Sequence, residues 1–255
     1  MRAATPDDPL AARSDRLFRL FARYLHRYVA RHFHALRVLR GGLPCLPDGP
    51  VVVFTNHPGW WDPAVFILLS YRLMPQRRGF GPMEGAALAR YGVLRRMGVF
   101  GIDPATRQGA ARFLAVADRV LAAPDTALWI TAEGAFTDAR RRPVRLRPGL
   151  AHLARRQGVT LLPLALEYGF WNERKPEALV GFGPPIPGDP TRSVAAWQPV
   201  LSAALEGAMD RLAEAAMARD PAGFVTLVRG GSGVGGLYDL WRRGRGLRVS
   251  HEAES

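Results

Sequence analysis

The sequence predicts an α/β fold, a single domain whose mixed, largely parallel sheet is flanked by helices and preceded by an amphipathic N-terminal helix. Two observations carry this. Short apolar runs alternate with helix-period segments between residues 51 and 166, the pattern of strands covered by helices. The apolar segments are also spread evenly along 255 residues, enough for one substantial core with no break that asks for a second. In such a sheet, side chains carried at strand ends converge on one edge.

Taken in order, residues 1–12 hold the acidic and proline-rich Pro6-Asp7-Asp8-Pro9 and read as a mobile tail. Ser14 opens a helical pattern. Arg16, Arg19, Arg23, Arg27 and Arg31 form a basic edge, and Leu17, Leu20, Phe21, Tyr24, Leu25, Tyr28, Val29 and Phe33 a broad apolar face, expected to run until Gly41-Gly42. Such a helix can pack on the core, lie on anionic lipid, or do both. Strands are expected over Val51 to Thr55, Val99 to Ile102, Ala127 to Thr131 and Val159 to Leu166. Helices are expected over Pro63 to Leu73, Arg107 to Leu121 and Leu150 to Arg156. Gly181 to Pro190 reads as a loop, Val194 to Met217 as an alanine-rich closing helix, and Phe224 to Val228 as a strand. The Gly231 to Gly236 stretch matches a dinucleotide-loop spacing, but the 19 residues after it are too few for the rest of a βαβ unit. It reads as a turn into Leu237 to Arg243, a short aromatic and basic segment. The expected division is 1–40 for tail and interface helix, 41–222 for the main domain and 223–255 for the glycine-rich, basic remainder.

A formal charge of +13 calls for an anionic partner: a membrane surface, a nucleic acid or a phosphorylated substrate. Nucleic acid is disfavoured, because the aromatics lie on amphipathic or buried segments rather than among basic residues on strands. Lys175 is the sole lysine, so arginine is the default cation and a single one says little; clusters say more. Cys45 is the sole cysteine, which excludes an intrachain disulfide and a cysteine-based metal site; no metal is expected. Without a long uncharged apolar run or a secretory signal pattern, the expectation is a cytoplasmic protein without a spanning helix.

The segment Asn56-His57-Pro58-Gly59-Trp60-Trp61-Asp62 follows the apolar Val51 to Phe54 directly. Pro58 and Gly59 disfavour a simple helix, so the chain can curl until Asp62 reaches His57 and fixes its tautomer. His57 and Asp62 are therefore the candidate catalytic pair, a general base and the carboxylate that orients it. No serine sits in a G-x-S-x-G turn, so a serine hydrolase lacks its nucleophile. Glu133 and Gly134 follow another strand and belong near the same edge. Downstream, Arg140 to Arg147 holds five arginines in eight residues, Arg145 and Arg147 among them, a landing site for phosphates or a solvated loop. Trp60 and Trp61 carry no acid-base chemistry and can wall an apolar pocket.

Together these segments resemble the lysophospholipid and glycerolphosphate acyltransferase family, whose first motif is Asn-His-x-x-x-x-Asp. Residues 98–103 resemble its second motif, Glu133-Gly134-Ala135-Phe136-Thr137 its third, and Leu161-Leu162-Pro163-Leu164-Ala165 its fourth. The resemblance implies an enzyme that moves a fatty acyl group from a thioester, acyl-CoA or acyl-carrier protein, to a hydroxyl of a lipid acceptor. It needs no cofactor beyond that co-substrate. Its partners are membrane lipids, the acyl donor and, for that donor type, acyl-carrier protein, with no nucleic acid; its place is peripheral, on the inner membrane face. The resemblance assigns Asn56, Glu133, Gly134 and Pro163 to substrate binding, beside Trp60, Trp61, Arg107, Arg145 and Arg147. It also exposes two departures. Where the family's second and third motifs carry arginines that grip a phosphate, this chain has Asp103, with Arg107 nearest, and Phe136. Losing two such contacts costs about 1.5–3 kcal/mol each, which disfavours lysophosphatidate as the acceptor and favours a phosphodiester lysophospholipid or a phosphate-free lipid alcohol. The alternative is a non-catalytic lipid-binding protein of the same fold, favoured if His57 and Asp62 lie apart.

Overall fold

The computed structural model describes residues 8–231. In chain order the strands are β1 (Ala35–Leu39), β2 (Val51–Thr55), β3 (Arg78–Glu84), β4 (Val99–Ile102), β5 (Thr126–Thr131), β6 (Thr160–Gly169), β7 (Glu177–Phe182), β8 (Ile186–Pro187) and β9 (Phe224–Arg229). The α-helices are α1 (Pro9–Ala12), α2 (Asp15–His32), α3 (Asp62–Leu73), α4 (Gly85–Arg90), α5 (Arg107–Leu121), α6 (Pro148–Ala154) and α7 (Val194–Ala218). All nine strands join one sheet in the order β4-β3-β5-β2-β6-β7-β1-β9, with β8 beside β6. From β4 to β6 the pairing is parallel; β7 runs antiparallel to β6, β1 parallel to β7, and β9 antiparallel to β1. The expected mixed, largely parallel α/β sheet is the observed one.

Side-chain alternation along β2 sets the layers. Val51 and Val53 face a core built with α2 and α3, whereas Val52 and Phe54 face one built with α5, α6 and α7. All four are fully buried, as a central parallel strand covered on both sides requires. The parallel pairs β2–β5 and β2–β6 bring the ends of these three strands out at one edge, where the turns after Thr55 and Thr131 and the last residues of β6 meet.

Three expectations change. The N-terminal helix stops at His32 rather than at Gly41-Gly42, because Ala35–Leu39 gains a ladder on each side, to β7 and to β9. Arg37 fits inside that sheet because buried Glu177 meets its guanidinium at 3.0 Å. Residues 8–12 are not a loose tail: Asp8 caps the short α1. The Gly181 to Pro190 stretch is not all loop, since it holds the end of β7 and the two residues of β8. The glycine-rich stretch from Ser232 to Gly236 and the aromatic and basic 237–243 segment lie outside the described residues.

Helix α2 meets the core through Phe18, Ala22, Leu25 and Val29. Its arginines at 16, 19, 23, 27 and 31 are exposed, and so are Leu20 and Tyr24, at 64% and 55%. The apolar face is thus wider than the core can cover. Among the described residues no helix is long and apolar enough to cross a membrane.

Candidate active site

Where β2 ends, Asn56 does what a further strand residue would do. Its amide nitrogen donates to the Leu166 carbonyl at 2.9 Å, and its amide oxygen accepts from the Leu166 N–H at 2.8 Å. Asn56 is fully buried. The substrate-binding role expected of it therefore gives way to a structural one: it latches the turn to β6 and fixes which β6 residues stand beside His57.

The chain then curls through Pro58 and Gly59 and enters α3 at Asp62. His57 Nδ1 lies 2.6 Å from Asp62 Oδ2. Asp62 is fully buried while the His57 side chain keeps 18% of its surface exposed. An ionised carboxylate only accepts, so Nδ1 carries the proton and the lone pair lies on Nε2. The Gly59 N–H also donates to Oδ2, at 3.3 Å, and the Tyr168 hydroxyl donates to Oδ1 at 2.6 Å. Asp62 sits in the first turn of α3, where the helix dipole favours an anion.

The loop after β5 closes over this pair. Ala132 N–H donates to the Thr55 carbonyl and Thr137 N–H to the His57 carbonyl, both at 2.9 Å. This seats the Phe136 ring 4.3 Å from the His57 ring, tilted by 40°, and leaves Phe136 64% exposed. Glu133 in the same loop is partly buried. Desolvation pushes its carboxyl up from the usual range, against the Arg145 backbone amide and the charges of Arg141 and Arg142. Gly134 has φ +69°, the left-handed region, and a Cβ there would stand 2.7 Å from Arg147 Nε. Glycine lets the Arg147 side chain lie across the loop, where its guanidinium reaches the Pro104 carbonyl at 3.4 Å and ties this loop to the one after β4.

The other expected residues divide. Arg107, Arg145 and Arg147 are exposed, Arg107 at the start of α5. Within the basic run, Arg140 is held by Asp138 and Arg142 by Asp210. Trp60 is 71% exposed beside the turn. Trp61 instead packs among Tyr28, His32 and Phe33 and so joins the turn to α2. Pro163 is buried opposite Phe54, one register position before β2 ends.

A groove of about 410 Å³ opens between the turn after β2 and the end of β6, lined by Pro58, Arg140, Glu167, Tyr168, Phe170 and Met217, among others. Desolvation raises the carboxyl of Glu167 in its wall. Tyr168, bonded to Asp62, is the residue at the pair that sequence reasoning did not name. Its sequence signal is faint, a phenol two residues past the apolar part of β6, and its partner lies 106 residues away.

A strand-end histidine and its buried carboxylate thus stand at the edge of a parallel sheet, in the order and setting of the motifs. No curated protein matches the chain. A family model described as acyltransferase matches residues 31–167, more than half of the 255 residues, and the chain belongs to the lysophospholipid and glycerolphosphate acyltransferase family.

Proposed function

We propose that the protein moves a fatty acyl group from an acyl thioester, acyl-CoA or acyl-carrier protein, to a hydroxyl of a lipid acceptor at the membrane surface. The observation that carries this reading is the 2.6 Å contact between His57 Nδ1 and the buried Asp62, which directs the Nε2 lone pair away from the carboxylate. His57 Nε2 takes the proton of the acceptor hydroxyl as its oxygen attacks the thioester carbonyl. A C–O bond forms, the C–S bond breaks, and the proton passes to the departing thiolate. Asp62 offsets the imidazolium that forms in between. The same contact leaves the alternative, a non-catalytic lipid-binding protein of this fold, without the separated pair that would favour it. Exposed Arg141, Arg145 and Arg147 suit the phosphates of either donor.

Two observations support an acceptor without a terminal phosphate monoester. Phe136, not an arginine, covers the face of His57, and the exposed Asp103 opens the loop after β4 where a second phosphate contact is expected. A phosphate dianion there meets a carboxylate and an aromatic ring. For the membrane, α2 offers exposed Leu20 and Tyr24 between its arginine edge and Tyr28, which suits peripheral binding to the anionic inner face. The test pairs palmitoyl-CoA with lysophosphatidate, lysophosphatidylglycerol and monoacylglycerol in turn. One of the last two gives the higher kcat/KM, and Phe136→Arg with Asp103→Arg shifts preference toward lysophosphatidate. Lysophosphatidate as the best wild-type acceptor refutes the acceptor assignment.

A further inference from the structure

The Asp62 carboxylate is held at both oxygens, and only one of them faces the histidine. Oδ2 takes His57 Nδ1 and the Gly59 N–H, whereas Oδ1 takes the Tyr168 hydroxyl at 2.6 Å. We propose that Tyr168 is a positioning residue for the reaction: its phenol holds Asp62 in the rotamer that orients His57 and sets how strongly the carboxylate acts on the imidazole. This rests on His57 acting as the general base.

The phenol is itself fixed. Asn56 pins Leu166, so the β6 register delivers Tyr168 two residues on, to the same side of the turn each time. The ring lies 5.8 Å from Phe33, and Gly59 passes close enough that a Cβ there would touch its edge at 3.5 Å. Asp62 has no exposed surface, so in the native fold its Oδ1 is met by the phenol and not by bulk solvent. Burial raises the phenol well above its ordinary value, which keeps it protonated and a donor.

Two effects follow. A phenol donating to Oδ1 draws charge from the carboxylate, so the imidazole feels less of it; without that bond the charge concentrates on Oδ2 and the imidazole becomes more basic. The carboxylate also loses the contact that prevents its rotation, so fewer molecules hold the productive tautomer and orientation. The other titratable groups around the pair are Glu133 after β5, the Asp138–Arg140 ion pair, Glu167 beside Tyr168 on β6, and His32 against Trp61. None of them bonds the phenol, so Tyr168→Phe leaves their contributions in place and keeps the aromatic wall of the groove.

The experiment measures kcat, KM and the pH profile of kcat/KM for wild type, Tyr168→Phe and His57→Ala, with palmitoyl-CoA and whichever acceptor of the three above turns over fastest. For Tyr168→Phe, kcat falls about ten- to hundredfold, the range of a hydrogen bond to a charged group, while KM stays close to wild type. Its acidic limb moves to higher pH, a change that a merely structural residue would not produce. 3-Fluorotyrosine placed at position 168 strengthens the donor and moves the limb to lower pH, so the inference remains testable even where Tyr168→Phe does not fold. The downfield proton resonance of His57 Nδ1–H, absent in His57→Ala, moves in the same variants without any turnover. An inactive His57→Ala beside Tyr168 variants with wild-type kcat, limb and resonance overturns the role of Tyr168 alone. A His57→Ala enzyme that still turns over overturns the general-base reading itself.

Discussion

Asn56→Ala separates the latch from the chemistry. Asn56 is fully buried and satisfies both the N–H and the carbonyl of Leu166. Alanine leaves these two backbone groups without partners, and each orphaned buried group costs about 1–3 kcal/mol, so the expected loss is roughly 2–6 kcal/mol. Against a typical domain stability of about 5–15 kcal/mol the variant still folds. In a chain of this size the same loss lowers the melting midpoint by about 4–24 °C. Urea unfolding with wild type alongside measures it directly, since the midpoint shifts while the slope stays put. Asn56→Asp is the sharper control: it keeps an acceptor for the Leu166 N–H but points a charge at the Leu166 carbonyl, and is expected to cost at least as much. Asn56→Ala with stability within about 0.5 kcal/mol of wild type, the ordinary scatter of surface changes, refutes the latch.

Asp62→Asn is expected to lower kcat by orders of magnitude with the fold intact, because a neutral amide no longer offsets the imidazolium that forms on His57; a loss under tenfold contradicts this. Glu133 keeps its proton to higher pH when folded than when unfolded, its carboxyl being raised above 4.5 chiefly by desolvation. Stability therefore falls as pH rises from the unfolded value through the raised folded one, and Glu133→Gln flattens that part of the curve in urea titrations across pH. On α2, Leu20→Ser with Tyr24→Ser is expected to reduce sedimentation with phosphatidylglycerol vesicles without changing the melting midpoint, as both side chains are exposed. Unchanged partitioning would make this helix a structural element only.

The strands easiest to read from sequence, β2, β5 and β6, are apolar runs buried on both faces. β1 is hidden because its apolar residues continue the helical period of α2, and the buried Arg37 looks like one more exposed arginine until Glu177 is placed beside it. β3 contains Gly79, Gly81 and Pro82, which break the apolar run that would mark a strand, so the sequence predicts no element there. Packing explains two of them: a Cβ at Gly79 would stand 2.7 Å from Ser70 Oγ, and one at Gly81 3.1 Å from the Trp129 carbonyl. In the site, the meeting of His57 with Asp62 is legible because five residues and one turn separate them. The contacts of Asn56 with Leu166 and of Asp62 with Tyr168 span 110 and 106 residues and depend on the register of β6 against β2. No local pattern encodes that register.

The central claim is acyl transfer to a lipid hydroxyl with His57 as the base. Its most direct test incubates the purified protein with isotope-labelled palmitoyl-CoA and a total lipid extract from its source, and follows by mass spectrometry which lipid gains the label, for wild type and for folded His57→Ala. The account predicts one labelled class of O-acylated lipid with wild type and background label with His57→Ala. Equal labelling by the two proteins, or label found only in free fatty acid, would contradict it.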